Sequence, residues 1–148
     1  LSTQRTGFPI LRNPFNRHGA SPISKAHFHF TFGNDLSRAQ SDAIWEEQAV
    51  NSYNQLFFEG VASAITGKGI TAVDVAKADR APLLILTGEI DHVVPPAIGR
   101  AIVKKYRSTG SPAIVDYKEF AGRTHRIVSQ DGWEEVADYA LTWAIEHS

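Results

Sequence analysis

The stretch "LTGEIDHVVPP" (86–96) places one carboxylate, Asp91, three residues beyond Gly88, where an apolar run ends. His125 follows 34 positions later in "AGRTHRIVSQ" (121–130), directly after a second run, "AIVDYKEF" (113–120). A carboxylate beside an imidazole holds the ring in one tautomer and stabilises the imidazolium that forms when the ring takes a proton. A general base positioned in this way contributes about 10²–10⁴-fold to a rate. Asp91 and His125 are therefore the candidate catalytic residues, the acid orienting the base.

A base needs something to activate. One setting for a serine nucleophile beside such a pair is a G-x-S-x-G turn between a strand and a helix. No such motif occurs here; "HGASP" and "STGSP" differ in spacing and context. The chain has no cysteine, so disulfides, thiolate metal sites and a cysteine nucleophile are excluded. His92 adjoins Asp91, but its side chain should point elsewhere, in a structural or pocket-lining role.

Other chemistry-bearing residues read as structural. "HFHF" (27–30) would put His27 and His29 on one face if extended, but a metal needs further ligands and no H-x-x-x-H supplies them. No metal is expected. "TGKGIT" (66–71) lacks the glycine that a phosphate loop needs at 62, which is Ala62, and the hydroxyl it needs at 69, which is Gly69; it reads as a turn. Phe28, Phe30, Phe32, Trp45, Phe57 and Phe58 read as packing residues, with Trp45, Phe57 and Phe58 the candidates to line an apolar pocket.

The totals bound the class. A chain of 148 residues can bury a real core, and 43% hydrophobic with 21% charged residues is ordinary for a globular protein. Fifteen basic residues face sixteen acidic ones, scattered without a basic stripe, which argues against a nucleic-acid partner. No apolar run approaches the roughly 18 residues of a membrane span, and no signal peptide is legible. The cysteine-free composition fits a reducing compartment, and a cytoplasmic location is expected. The chain opens at Leu1 and contains no methionine, which reads as a segment of a longer polypeptide.

The elements that must position Asp91 and His125 lie in the second half. "APLLILT" (81–87) is a continuous apolar run, the mark of a strand covered on both faces. Pro95-Pro96 opens a helix with an expected inner stripe of Ile98, Ala101, Ile102 and Lys105. Residues 113–120 form a second strand. Asp131 and Glu134 have capping-box spacing before an amphipathic helix carrying Trp133, Val136, Ala137, Ala140, Leu141, Ala144 and Ile145. Such a strand–helix–strand crossover makes the strands parallel, and sites in open α/β sheets lie beyond the strands' carboxyl ends. Two strands are few for a parallel sheet, so this half reads as the edge of a larger one.

The first half reads as helix and loop. Residues 1–35 are punctuated by Gly and Pro and are expected to be irregular. Ser37 and Gln40 form a capping box for a helix to about Val50, and a second helix should span about 52–65, carrying Tyr53, Leu56, Phe57, Val61 and Ala64.

"PLLILTGEIDHVVPP" and "EFAGRTHRIVSQDGWEEVADYALTWAIEH" resemble the C-terminal part of an α/β-hydrolase. "FHFTFGNDLSRAQSDAIWEEQAVNSYNQLFFEG" resembles the helical cap that covers the active site in that family. The resemblance implies an α/β fold, with a cap or lid region over 1–78 and the C-terminal part of the core over 79–148. It carries the acid of the triad onto Asp91 and the histidine onto His125. It implies hydrolysis of an ester or related acyl bond in a small-molecule substrate, without a cofactor. The serine, and the N-terminal half of the fold that bears it, lie outside these residues. Haloperoxidase-like, dehalogenase or epoxide hydrolase chemistry on the same pair, or a non-catalytic binding module with an exposed sheet edge, are the alternatives.

Overall fold

A computed structural model describes residues 2–69 and 72–148. Two compact units are distinguished, Leu1–Val73 and Asp74–Ser148. Ile70 and Thr71, with which the expected turn of "TGKGIT" ends, and the side chain of Ala64 lie outside the described residues.

The first unit is helical. It contains α1 (Ser2–Leu11), a 3-10 turn (Pro14–Asn16), β1 (Ala20–Ser21), α2 (Lys25–Thr31), α3 (Arg38–Gln48), β2 (Ser52–Tyr53) and α4 (Gln55–Thr66). The expectation of an irregular segment over 1–35 is corrected, since α1 and α2 both form within it. Most of the glycines and prolines that suggested it fall between the helices; Gly7 and Pro9 stand inside α1, where Pro9 removes one backbone donor. Ser24 starts α2, its side chain accepting the His27 N–H at 3.2 Å. The Ser37–Gln40 capping box forms as read. Gly33 lets α2 and α3 approach: a Cβ there would lie 2.5 Å from the Ser41 hydroxyl oxygen. β1 and β2 pair antiparallel through Ala20 with Tyr53 and Ser21 with Ser52. Gly67 ends α4 in the left-handed conformation, at φ 67°.

The second unit carries the α/β pattern: β3 (Leu83–Gly88), α5 (Pro96–Arg107), β4 (Val115–Phe120) and α6 (Trp133–Glu146). β3 and β4 pair in parallel, in register from Leu83 with Val115 to Gly88 with Phe120. α5 packs on the face carrying Thr87 and Tyr117. The opposite face meets α6, through Trp143 Nε1 donating to Asp116 at 2.8 Å and the edge-on contact of Phe120 with Tyr139.

Both helices correct details of the reading. The inner face of α5 is Pro96, Gly99 and Val103, while Ile98 and Ile102 lie on the outer surface. The close approach decides this. A Cβ at Gly99 would stand 2.5 Å from Thr87 Cγ2 and 3.0 Å from a Tyr117 ring carbon, so the helix seats its smallest residue against the sheet. The Asp131–Glu134 capping box does not form. Gly132, with no side chain to accept the first N–H groups, occupies the cap position at φ 76°; separately, the Arg123 guanidinium donates to the carbonyls of Asp131 and Gly132. Along α6 only Val136 is fully buried, and Trp133, Leu141 and Ile145 are exposed.

Candidate active site

Asp91 and His125 meet at the carboxyl end of the parallel pair. β3 ends at Gly88, and the chain turns at once, with the Asp91 N–H donating to the Gly88 carbonyl at 3.2 Å. After β4, the segment 121–125 crosses the end of β3. Glu89 N–H donates to Phe120 O at 2.9 Å and Ile90 N–H to Arg123 O at 3.0 Å. Only glycine allows this crossing: a Cβ on Gly88 would lie 2.2 Å from the Arg123 carbonyl oxygen and 2.7 Å from that of Thr124. Parallel pairing thus brings two loops together that are 34 residues apart in sequence.

The two carboxylate oxygens of Asp91 have separate tasks. Oδ1 accepts the backbone N–H groups of Val93 at 2.7 Å and Val94 at 2.8 Å, which closes the turn before α5. Oδ2 lies 2.9 Å from His125 Nδ1. Asp91 is 7% exposed, so its remaining charge interactions act with little water. Burial pushes its carboxyl up, but the hydrogen bonds from His125, Val94 and Val93 and the nearby imidazole outweigh burial and hold it below its ordinary value of 3.8. An ionised carboxylate can only accept, so Nδ1 carries the shared proton and Nε2 is the basic nitrogen of the ring.

The histidine loop has its own clamp. Thr124 is fully buried, and its N–H donates to Gln130 Oε1 at 2.9 Å. Its hydroxyl reaches the same oxygen at 3.3 Å, and Gln130 Nε2 donates back to Gly122 O at 3.0 Å. One amide side chain thereby closes the loop around His125. Sequence reasoning did not find Gln130, because nothing in its type or spacing marks it. Gly88 was legible as the end of an apolar run, but not as the place where the histidine loop crosses.

Trp45, Phe57 and Phe58 belong to the Leu1–Val73 unit. Trp45 Nε1 donates to Ile23 O at 2.7 Å, and Phe57 and Phe58 are half-buried on α4. None of the three lines the cavity of about 530 Å³ in that unit, which is bounded by Arg5, Phe8, Pro9, Ser24, Ala26, His27 and Phe30. His27 and His29 are on a helix, not a strand. Two residues apart on a helix, their side chains diverge by about 200°, so the one-face arrangement of an extended pair does not exist. His92 is half-buried next to Asp91. Among the described residues no group of three metal-ligating side chains converges, and no helix is long and apolar enough to cross a membrane.

Among known proteins, the chain is similar to a monoacylglycerol lipase of Mycolicibacterium smegmatis, 30% identical over 88 residues. The match covers 60% of this chain and 30% of the length of that lipase. No family model and no solved structure matches the chain.

Proposed function

We propose that Asp91 and His125 are the acid and base of a hydrolytic site of α/β-hydrolase type, which cleaves an ester or related acyl bond in a small molecule. The observation that carries this reading is the 2.9 Å contact of a buried carboxylate with an imidazole, beyond the carboxyl ends of two parallel strands. The similarity to a lipase supports the same chemistry. His125 Nε2 takes the proton from a nucleophilic hydroxyl as that hydroxyl attacks the acyl carbon. The imidazolium, held by Asp91, passes the proton to the leaving alkoxide, and the cycle repeats with water to release the acid.

The nucleophile comes from a part of the polypeptide outside these residues. The sheet edges fit this. On the outer edge of β4, Arg107 Nη2 donates to Val115 O at 3.0 Å, the kind of cover that protects an edge strand. The outer edge of β3, with Leu84 and Leu86 in its apolar run, has no such cover among the described residues. Further strands would then join at β3, and the nucleophile would arrive with them. The test is labelling of the whole polypeptide with a fluorophosphonate, followed by ester hydrolysis with His125→Ala. The reading requires labelling of a serine and a loss of turnover of about 10⁴-fold or more in the variant. Turnover within tenfold of the parent would remove His125 from the reaction.

A further inference from the structure

The cavity between α1 and α2 combines apolar walls with a cation that pairs with no carboxylate among the described residues. Phe8, Pro9, Ala26 and Phe30 line its sides, and Arg5, His27 and Ser24 are its polar groups. The Arg5 guanidinium lies 4.1 Å from the centre of the Phe30 ring, so the charge is placed over the apolar wall. The other cations of this unit with ion pairs, Arg17, Lys25 and Arg38, are matched by Glu59, Glu46 and Asp42. Among the described residues, Arg5 has no such match. The first acid in the chain is Asp35, while Arg5, Arg12, Arg17 and Lys25 all precede it. The segment that builds the cavity is therefore uniformly basic. A volume of about 530 Å³ is in the range of small-molecule sites, roughly 300–1,000 Å³.

We infer that this cavity binds a monomeric amphipathic anion, an alkyl carboxylate, with its head on Arg5 and its chain along Phe8, Pro9 and Phe30. The guanidinium presents a fork of donors that matches the two carboxylate oxygens. The aromatic and proline walls take a chain but offer nothing to a second charge. A neutral alcohol of equal length gains no charge-assisted bond from Arg5, and a phosphate without a chain gains nothing from the apolar walls. The inference stands apart from the chemistry of Asp91 and His125 and uses neither residue.

The experiment is calorimetric titration of the whole polypeptide with decanoate below its micellar concentration, beside decanol and inorganic phosphate. Decanoate should bind, and decanol and phosphate should bind at least about tenfold more weakly, the loss of one charge-assisted contact. Arg5→Gln should weaken decanoate by the same factor and leave decanol unchanged. Ala26→Trp, which fills the cavity without altering charge, should block both. Circular dichroism of each variant confirms its fold. Equal binding of decanoate and decanol, no effect of either variant, or association only with anionic vesicles or micelles would each overturn the inference.

Discussion

Asp91→Asn separates the charge of the carboxylate from its shape. The amide oxygen can still accept from Val93 and Val94, which now donate at 2.7 and 2.8 Å, so the turn before α5 should survive. The amide nitrogen then faces His125 Nδ1, where Oδ2 stands at 2.9 Å. Two donors cannot share that contact, so the ring must move its proton to Nε2 and lose the basic nitrogen. Three hydrogen bonds to a charged group become neutral ones. At about 1 kcal/mol each, the difference between bonds to charged and neutral groups, the cost is about 2–3 kcal/mol of stability at neutral pH. The rate should fall on the order of 10⁴-fold through the wrong tautomer, as in other Asp–His pairs so altered. Urea unfolding gives the first number, steady-state hydrolysis of a p-nitrophenyl ester by the whole polypeptide the second, and nitrogen-15 chemical shifts of the imidazole report the tautomer. A variant with unchanged stability and an Nδ1–H tautomer would refute the argument, and turnover within tenfold of the parent would refute the catalytic part alone.

Gln130→Ala leaves the Thr124 N–H without its acceptor inside a fully buried residue, and should cost about 1–3 kcal/mol. Turnover should drop more than tenfold with KM little changed; Gln130→Glu, which keeps the acceptor for Thr124, should restore part of it. A parental turnover in Gln130→Ala would show that the clamp does not hold His125. Gly88→Ala should destabilise by about 3 kcal/mol, because its Cβ meets backbone rather than a movable side chain; unfolding midpoints within error of the parent would contradict the crossing. The pH dependence follows from the lowered Asp91 carboxyl. Its stabilisation is complete above about pH 5 and is lost as pH falls below 3.8 toward the folded-state value. The stability gap between parent and Asp91→Asn should therefore narrow on acidification, and a gap that widened below pH 4 would reverse the assigned sign.

What the sequence made legible follows the strength of each local signal. The two apolar runs, the proline pair before α5 and the Ser37–Gln40 box each act within a few residues, and each produced its element. The parallel pairing of β3 with β4 followed from the intervening helix, and with it the meeting of Asp91 and His125. Composition misled where it was averaged over a window. Most Gly and Pro between residues 1 and 35 separate short helices instead of abolishing them, and Gly7 and Pro9 are accommodated within α1. Hydrophobicity misled on α5, where the sheet admits Gly99 and turns Ile98 and Ile102 outward.

The start of α6 shows the same limit at the site itself. Asp131 and Glu134 have the spacing of a cap, yet Arg123 takes the exposed carbonyls of Asp131 and Gly132 and pairs with Glu135. That guanidinium belongs to the segment whose carbonyl lies against Gly88, two residues before His125. The helix start and the histidine loop are therefore one construction, tied by Arg123 on one side and Gln130 on the other. Local pattern assigns the cap by spacing; here Gly132, which has no side chain, stands at the cap position, and the donor-only guanidinium binds carbonyls and caps no N–H. Tying α6 to the loop in this way gives His125 a rigid support, which a cap closed within residues 131–134 could not transmit.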